Sequence, residues 1–274
     1  MYDNETRWQR VLQATESLEK YEAIINNRVY SVRMKRYLDS VQIKYYQVIE
    51  ENSMMDSVRS DEIEKEQKTD EEKEMESIYH SRSRTINAIY DYGKSNRWEW
   101  WCTFTFNPNK VDRYNFSECS KKMSNWLHVI RKKNSNLKYL IVPEMHKDGA
   151  WHFHGLFSNV DGIEFVNSGH NFKNQVVYNI ANFKWGFTHA IHTDGSMKVV
   201  SYLTKYISKD LCCATKGKKR YWISKNLDTP QIIDYNTRES FDEVVSMFDL
   251  NGAYFKTIEG YNIETTSSKL SLVL

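Results

Sequence analysis

Apolar residues near the start of the chain follow two different spacings. Over residues 5–25 they recur at helical intervals, which predicts an amphipathic helix. Residues 28–37 and 41–49 alternate apolar and polar side chains, which predicts a hairpin turning at Leu38-Asp39-Ser40, although a helix over 41–50 also fits. Glu50 to Glu76 has few large apolar residues, and a disordered or loosely helical connector is its simplest interpretation.

The middle of the chain is a regular succession of apolar segments. Helical spacing predicts one helix opening at Ser81, a second over 116–133 and a short third over 172–182. Apolar or alternating runs predict strands over 98–106, 139–142, 151–157 and 186–192. This order is typical of an antiparallel sheet with helices packed on one face, which is an α+β fold.

The end of the chain repeats the pattern of the beginning. We expect a helix over 241–250, followed by strands over 253–258 and 261–265 that turn at Glu259-Gly260. This terminal hairpin could pair with the one at 28–49. The predicted organisation is an N-terminal helix and hairpin (1–50), an acidic connector (51–80), a central domain (81–230) and a C-terminal extension (231–274).

Charge is distributed unevenly along the 274 residues. The net charge is +2, but residues 51–76 carry eleven Asp or Glu against four Lys or Arg, so this segment is −7 and the remainder is +9. A basic body is compatible with nucleic-acid binding. Two basic runs stand out, Arg131-Lys132-Lys133 at a helix end and Lys216-Gly217-Lys218-Lys219-Arg220 in a loop.

Composition narrows the class of protein. The chain has no run of about 18 apolar residues, so we expect no membrane span, and its first residues lack the features of a signal peptide. The four cysteines form no CxxC pair, which makes zinc ribbons and redox motifs improbable. We therefore expect a cytoplasmic, reduced protein.

A segment with two tyrosines has two contrasting faces. Read as one helix at about 100° per residue, it places Val200, Leu203, Ile207 and Leu211 on one side. The other side carries a row of phenols and ammonium groups: Lys198, Tyr202, Lys205, Tyr206 and Lys209. The polar face is what a tyrosine nucleophile aimed at a phosphodiester would need, although a surface helix with packing tyrosines fits as well.

Two histidines, His152 and His154, occupy alternate positions of a predicted strand and so share a face. A three-residue turn at Lys147-Asp148-Gly149 would pair Glu144 with His152 and place Glu144 and His146 on that face. A two-residue turn at Asp148-Gly149 would turn Glu144 away, and we prefer the first register. Two imidazoles and a carboxylate suit Mg²⁺ or Mn²⁺, although zinc also accepts these ligands.

Taken together, three motifs resemble the HUH endonuclease superfamily, specifically the rolling-circle replication initiators of small phages and plasmids. The motifs are Phe104-Thr105-Phe106-Asn107-Pro108, Glu144 through His152-Phe153-His154, and Tyr202 through Lys209. The resemblance covers about residues 81–230. Paired tyrosines after the histidines are similar to the two-tyrosine class of initiators.

The resemblance implies a metal-dependent nickase and strand-transferase that forms a 5′-phosphotyrosine. It implies that Tyr202 or Tyr206 attacks phosphorus, with Lys205 or Lys209 beside it, and that His152, His154 and Glu144 (or His146) hold Mg²⁺ or Mn²⁺. The implied partners are single-stranded or hairpin origin DNA and a bacterial host's helicase and polymerase. A single-strand transposase and a non-cleaving origin-binding protein are the alternatives, and Trp151 is the best of four candidate base-stacking tryptophans.

Overall fold

A computed structural model describes residues 29–48, 69–196, 198–239, 241–246, 256–261 and 268–273. The chain divides into two compact units, one of Met1–Glu66 with Pro230–Leu274 and the other of Gln67–Thr229. The helix predicted over 5–25 lies outside the described residues. Within those ranges, no helix is long and apolar enough to cross a membrane.

The secondary structure of the described residues is as follows. The strands are β1 (Val29–Arg36), β2 (Val41–Val48), β3 (Trp100–Phe106), β4 (Lys138–Met145), β5 (Trp151–Ser158), β6 (Phe165–Phe172), β7 (Gln175–Ile180), β8 (Gly186–His192), β9 (Trp222–Ile223), β10 (Gln231–Thr237), β11 (Lys256–Tyr261) and β12 (Ser268–Val273). The helices are α1 (Asp70–Lys94), α2 (Phe116–Lys133), α3 (Lys198–Thr204), α4 (Lys209–Ala214) and α5 (Phe241–Ser246).

The first unit contains a five-stranded sheet in the order β10-β1-β2-β12-β11. The hairpin predicted at 28–49 is confirmed, because β1 and β2 pair across the turn at 38–40. The terminal strands do pair with this hairpin, with β12 beside β2. The predicted turn at Glu259-Gly260 is wrong, since β11 runs through both residues.

The second unit contains a seven-stranded sheet in the order β6-β7-β8-β3-β5-β4-β9. Its α+β class and antiparallel pairing are confirmed. The helices lie on both faces, not on one: the ring of Trp126 in α2 packs 5.2 Å from Phe104, while Tyr202 in α3 packs 5.3 Å from Trp101. Residues 101 and 104 point to opposite sides of β3, and both are buried, so each face of the sheet needs a covering layer.

Local hydrogen bonds explain three further differences from the sequence prediction. Helix α1 begins at Asp70 because Thr69 and Glu72 form a capping box, so the end of the acidic stretch is helical. Instead of the helix predicted over 172–182, β6 and β7 form a hairpin, with Lys173 and Asn174 at positive φ in its turn. The single tyrosine helix is wrong as well, since α3 ends at Thr204 and α4 begins at Lys209.

Candidate functional site

The β4–β5 hairpin adopts the preferred register of the two predicted from sequence. The backbone N–H of His146 donates to the carbonyl of Ala150 at 2.8 Å, and Gly149 takes φ +84°. Glu144 pairs directly with His152, as a three-residue turn requires. Glu144, His152 and His154 therefore project from one face of the sheet.

The closest polar contact on this face joins His154 to Glu144. Nε2 of His154 lies 2.7 Å from Oε2 of Glu144, and His154 is buried at 6% exposure. The hydrogen bond from His154, supported by the charges of His152 and His146, lowers the pKa of the Glu144 carboxyl against the opposing effect of burial. Glu144 is thus held as a carboxylate, the form that binds both cations and imidazole N–H groups.

Two threonines of β3 hold the other ring nitrogens of the same histidines. Oγ1 of Thr103 lies 3.2 Å from Nδ1 of His154, and Oγ1 of Thr105 lies 3.4 Å from Nδ1 of His152. The strand register opposes Thr103 to His154 and Thr105 to His152. Sequence reasoning treated these threonines as structural. Their alternation in step with the histidines was the available signal.

His152 lies between the buried His154 and the exposed His146. The rings of His146 and His152 stack with 5.2 Å between centroids. Burial, and next the neighbouring His146, lower the pKa of the His152 imidazole. A neutral imidazole is the form that ligates metals. His146 itself is 3.3 Å from Oδ1 of Asp148 in the turn, so it is partly engaged there.

The tyrosine segment is fixed to the sheet by its apolar side chains. Val200, Leu203, Ile207 and Leu211 are all at 0% exposure, as their spacing predicted. After Thr204 the helix gives way to a turn with i→i−3 hydrogen bonds, and the Ser208 side chain then caps α4 by accepting from the N–H of Leu211. Tyr206 lies in this turn, whereas Tyr202 lies in the last turn of α3.

Both phenol rings lie on the histidine face. The ring of Tyr206 stacks on His154 with 3.9 Å between centroids and 7° between planes. Tyr202 packs edge-on against Tyr206 at 5.6 Å and remains 47% exposed. Burial, then the hydrogen bond to Tyr202 and the charge of Glu144, raise the pKa of the Tyr206 phenol above its ordinary value.

The two candidate lysines are placed differently. The ammonium of Lys205 lies 5.1 Å from the centroid of the Tyr202 ring. Lys209 is the first residue of α4, beyond the turn, and is exposed. Of the two, Lys205 is therefore the one that the structure places beside a phenol.

A groove of about 730 Å³ opens beside the tyrosines and runs toward the tip of the β6–β7 hairpin. Its lining includes Tyr202, Tyr206 and His154 together with three lysines, Lys173, Lys198 and Lys205. A groove with cations and aromatic rings suits a single-stranded nucleic acid. The lysines at 173 and 198 were not identified from sequence as site residues, because the β6–β7 hairpin was not predicted.

The tryptophans are core residues. Trp98, Trp100, Trp101 and Trp151 are exposed by no more than 8%. Trp151, the expected base-stacking residue, packs against Phe116 at 4.6 Å, so that expectation is wrong.

The donor atoms on the histidine face fit a divalent ion in their chemistry. In the described part of the chain, no group of three His, Cys, Asp or Glu side chains is arranged to hold a metal ion. The 2.7 Å separation of His154 Nε2 and Glu144 Oε2 is nevertheless close to the spacing of about 3 Å between neighbouring ligands of one ion bound at about 2.1 Å. With His152 opposite Glu144, two imidazoles and one carboxylate are available as ligands.

Comparison with known proteins adds one similarity, and it covers this site. Residues 99–211 match the family model of the replication-associated protein ORF2 family. The matched segment runs from β3 to α4 and includes both histidines and both tyrosines, so the similarity supports a role in replication initiation. No curated protein and no solved structure gives a significant match.

Proposed function

We propose that the chain nicks and rejoins single-stranded DNA to initiate and terminate rolling-circle replication, through a 5′-phosphotyrosine. The observation that carries the proposal is the placement of Tyr202 and Tyr206 over the face that bears His152, His154 and Glu144. The similarity to the replication-associated protein family supports the biological setting. A protein that only bound DNA would need neither a nucleophile pair nor this cluster of ligands.

Tyr202 is the proposed first nucleophile. It is the more exposed phenol, and the Lys205 ammonium beside its ring favours the phenolate. Its oxygen attacks phosphorus, the bond from phosphorus to the 3′ oxygen breaks, and the phenol proton is balanced by the proton that the 3′ oxygen gains. The products are a 5′-phosphotyrosine and a free 3′-hydroxyl.

Tyr206 is proposed to act in the second transfer. In this structure its phenol is stacked on His154 and its pKa is raised, so it is the less reactive of the two. When Tyr202 carries the DNA end, Tyr206 can attack a second phosphate and release the circle. Because each step exchanges one phosphodiester for another, no nucleotide hydrolysis is required for rejoining.

Glu144, His152 and His154 are the proposed ligands of a divalent cation, Mg²⁺ or Mn²⁺. When bound there, such an ion supplies positive charge that stabilises the scissile phosphate during attack. Thr103 and Thr105 orient the histidines through their other ring nitrogens. The lysines of the groove are proposed to hold the DNA backbone.

The proposal is tested with single-stranded oligonucleotides that tile the replicon, labelled at the 3′ end and incubated with protein and Mn²⁺. On a denaturing gel we expect one oligonucleotide to give a labelled band attached to protein. The Tyr202→Phe/Tyr206→Phe variant should give none. Tyr79→Phe/Tyr114→Phe is the matched control, since both of these tyrosines are exposed outside the site. A protein-linked band that persists in the first variant would exclude the mechanism.

A further inference from the structure

The two basic runs of the sequence, far apart along the chain, meet in one groove of the folded unit. This groove, of about 450 Å³, lies between α2 and the strand β9. Five basic side chains line it: His128, Arg131, Lys132, Lys219 and Lys225. Its lining residues include no carboxylate. We name it the basic groove.

The floor of the basic groove is held in place by Trp222. The indole N–H of Trp222 donates to Oγ of Ser124 at 2.9 Å, which joins β9 to α2. The ammonium of Lys219 lies 5.6 Å from the centroid of the Trp222 ring. Arg131 is also fixed, because it hydrogen-bonds the Tyr139 hydroxyl. The cations therefore stand around a rigid floor.

The basic groove and the tyrosine site lie on opposite faces of the sheet. The Trp222 ring packs 5.1 Å from Phe153. Phe153 separates His152 from His154 on β5, so its side chain points away from the imidazoles. A nucleic acid in the basic groove is thus not the strand held at Tyr202. It must be another segment or the continuation of that strand around the β4–β9 edge.

The lining of the groove discriminates between kinds of nucleic acid. Its aromatic residues, Tyr139 and Trp222, are exposed by only 8% and 4%, so they offer no surface on which an unpaired base can stack. Arginine and lysine without such a surface recognise phosphates alone. This combination favours the backbone of a double helix over a single strand.

We infer that the basic groove binds the phosphate backbone of duplex DNA. The inference rests on the proposed function only in that the ligand is taken to be the duplex that flanks the nicked strand. The tyrosine site would then hold the single strand on one face while the groove holds the duplex on the other.

The test measures binding of a fluorescein-labelled 20-base-pair duplex by anisotropy from 50 to 300 mM NaCl. We expect Arg131→Gln/Lys219→Gln/Lys225→Gln to weaken binding roughly 10- to 100-fold at 150 mM and to reduce the slope of log K against log salt by about two to three. Lys73→Gln/Lys110→Gln/Lys184→Gln removes the same charge outside the groove and should leave the slope near that of wild type. Because Arg131 contacts Tyr139, Lys219→Gln/Lys225→Gln is measured too, with an expected reduction of about two.

Each outcome of this experiment decides the inference. An unchanged slope in both groove variants overturns it, and so does an equal loss in the control variant. An equal loss for a single-stranded 20-mer overturns the assignment to duplex DNA. Cleavage of a short single-stranded oligonucleotide should survive in the groove variants. If the Tyr202→Phe/Tyr206→Phe variant still cleaves, the proposed function fails while the duplex measurement stands by itself.

Discussion

The phenol ring of Tyr206 lies parallel to the imidazole of His154, with 3.9 Å between their centroids. The same imidazole is hydrogen-bonded to Glu144 through Nε2 and contacts Thr103 through Nδ1. His154 therefore joins the carboxylate, the β3 threonine and the tyrosine segment in one connected group. Most of the following predictions perturb one of these connections or the packing that maintains them.

The two tyrosines are expected to differ when changed singly. Tyr202→Phe should lower the rate of the first cleavage by at least about 100-fold, because it removes the exposed phenol beside Lys205. Tyr206→Phe should leave the first cleavage within about tenfold but abolish transfer of the covalently held end to a second strand. The measurement is a time course with a labelled donor and an unlabelled acceptor oligonucleotide. First cleavage lost only in Tyr206→Phe would reverse the assignment.

Removal of a proposed ligand should abolish stabilisation by metal. Wild-type protein is expected to gain about 2.7 kcal/mol in its free energy of unfolding when Mn²⁺ is present at 100 times its dissociation constant. Glu144→Gln and His154→Ala should lose most of this gain, as measured by the shift in Tm with and without Mn²⁺. His80→Ala, which changes an exposed histidine of α1, is the control. An equal Tm shift in all variants would show that the ion binds elsewhere.

Thr103 is expected to act as a positioning residue. Thr103→Val keeps the side-chain shape but removes the hydroxyl that lies 3.2 Å from Nδ1 of His154. Loss of such an orienting partner typically lowers metal affinity 10- to 100-fold. Mn²⁺ affinity is measured by titration monitored by electron paramagnetic resonance. Thr103→Ser should restore it, whereas equal affinities in the valine and serine variants would assign the hydroxyl no such role.

The candidate site was predictable to the extent that it depends on local geometry. The turn at 147–149 set the register of the hairpin, and the register alone placed Glu144 beside His152. The stacking of Tyr206 on His154 could not be derived in that way. It depends on the capping of α4 by Ser208 and on packing between segments that are distant in sequence.

The missed β6–β7 hairpin has a different cause. It is an edge hairpin with polar residues along much of β6, so it lacks the apolar alternation that predicts a strand. Its signal was the turn at Lys173-Asn174, where both residues take positive φ. The omission hid one side of the groove beside the tyrosines.

Glu239 should make the stability of the first unit depend on pH. Burial, and next the charge of Glu243, raise the pKa of its carboxyl, and Oε2 of Glu239 is buried without a hydrogen-bond partner among the described residues. A raised pKa means that the folded form holds the proton more tightly. Its contribution is therefore complete below the ordinary pKa of 4.5 and is lost as pH rises through the folded-state value.

Glu239→Gln should accordingly match wild type near pH 4 and exceed it at pH 7, by on the order of 0.5 kcal/mol after allowance for solvent screening. Amide hydrogen exchange along β10 reports the opening free energy at each pH. Glu164→Gln, at an exposed position, should show no such pH-dependent gain. A gain that is the same at both pH values would contradict the assignment.

The last prediction concerns the contact that holds α3 against α1. A Cβ atom added at Gly93 would lie 2.3 Å from Cγ1 of Val200, which is too close for α3 to keep its position. Gly93→Ala should cost about 1–3 kcal/mol, as overpacking of a core does, and should lower cleavage by moving Tyr202 and Tyr206 off the histidine face. Val200→Ala in the same chain removes the clashing methyl groups and should restore most of the cleavage rate. If Gly93→Ala loses stability but retains wild-type cleavage, the position of α3 does not limit the reaction.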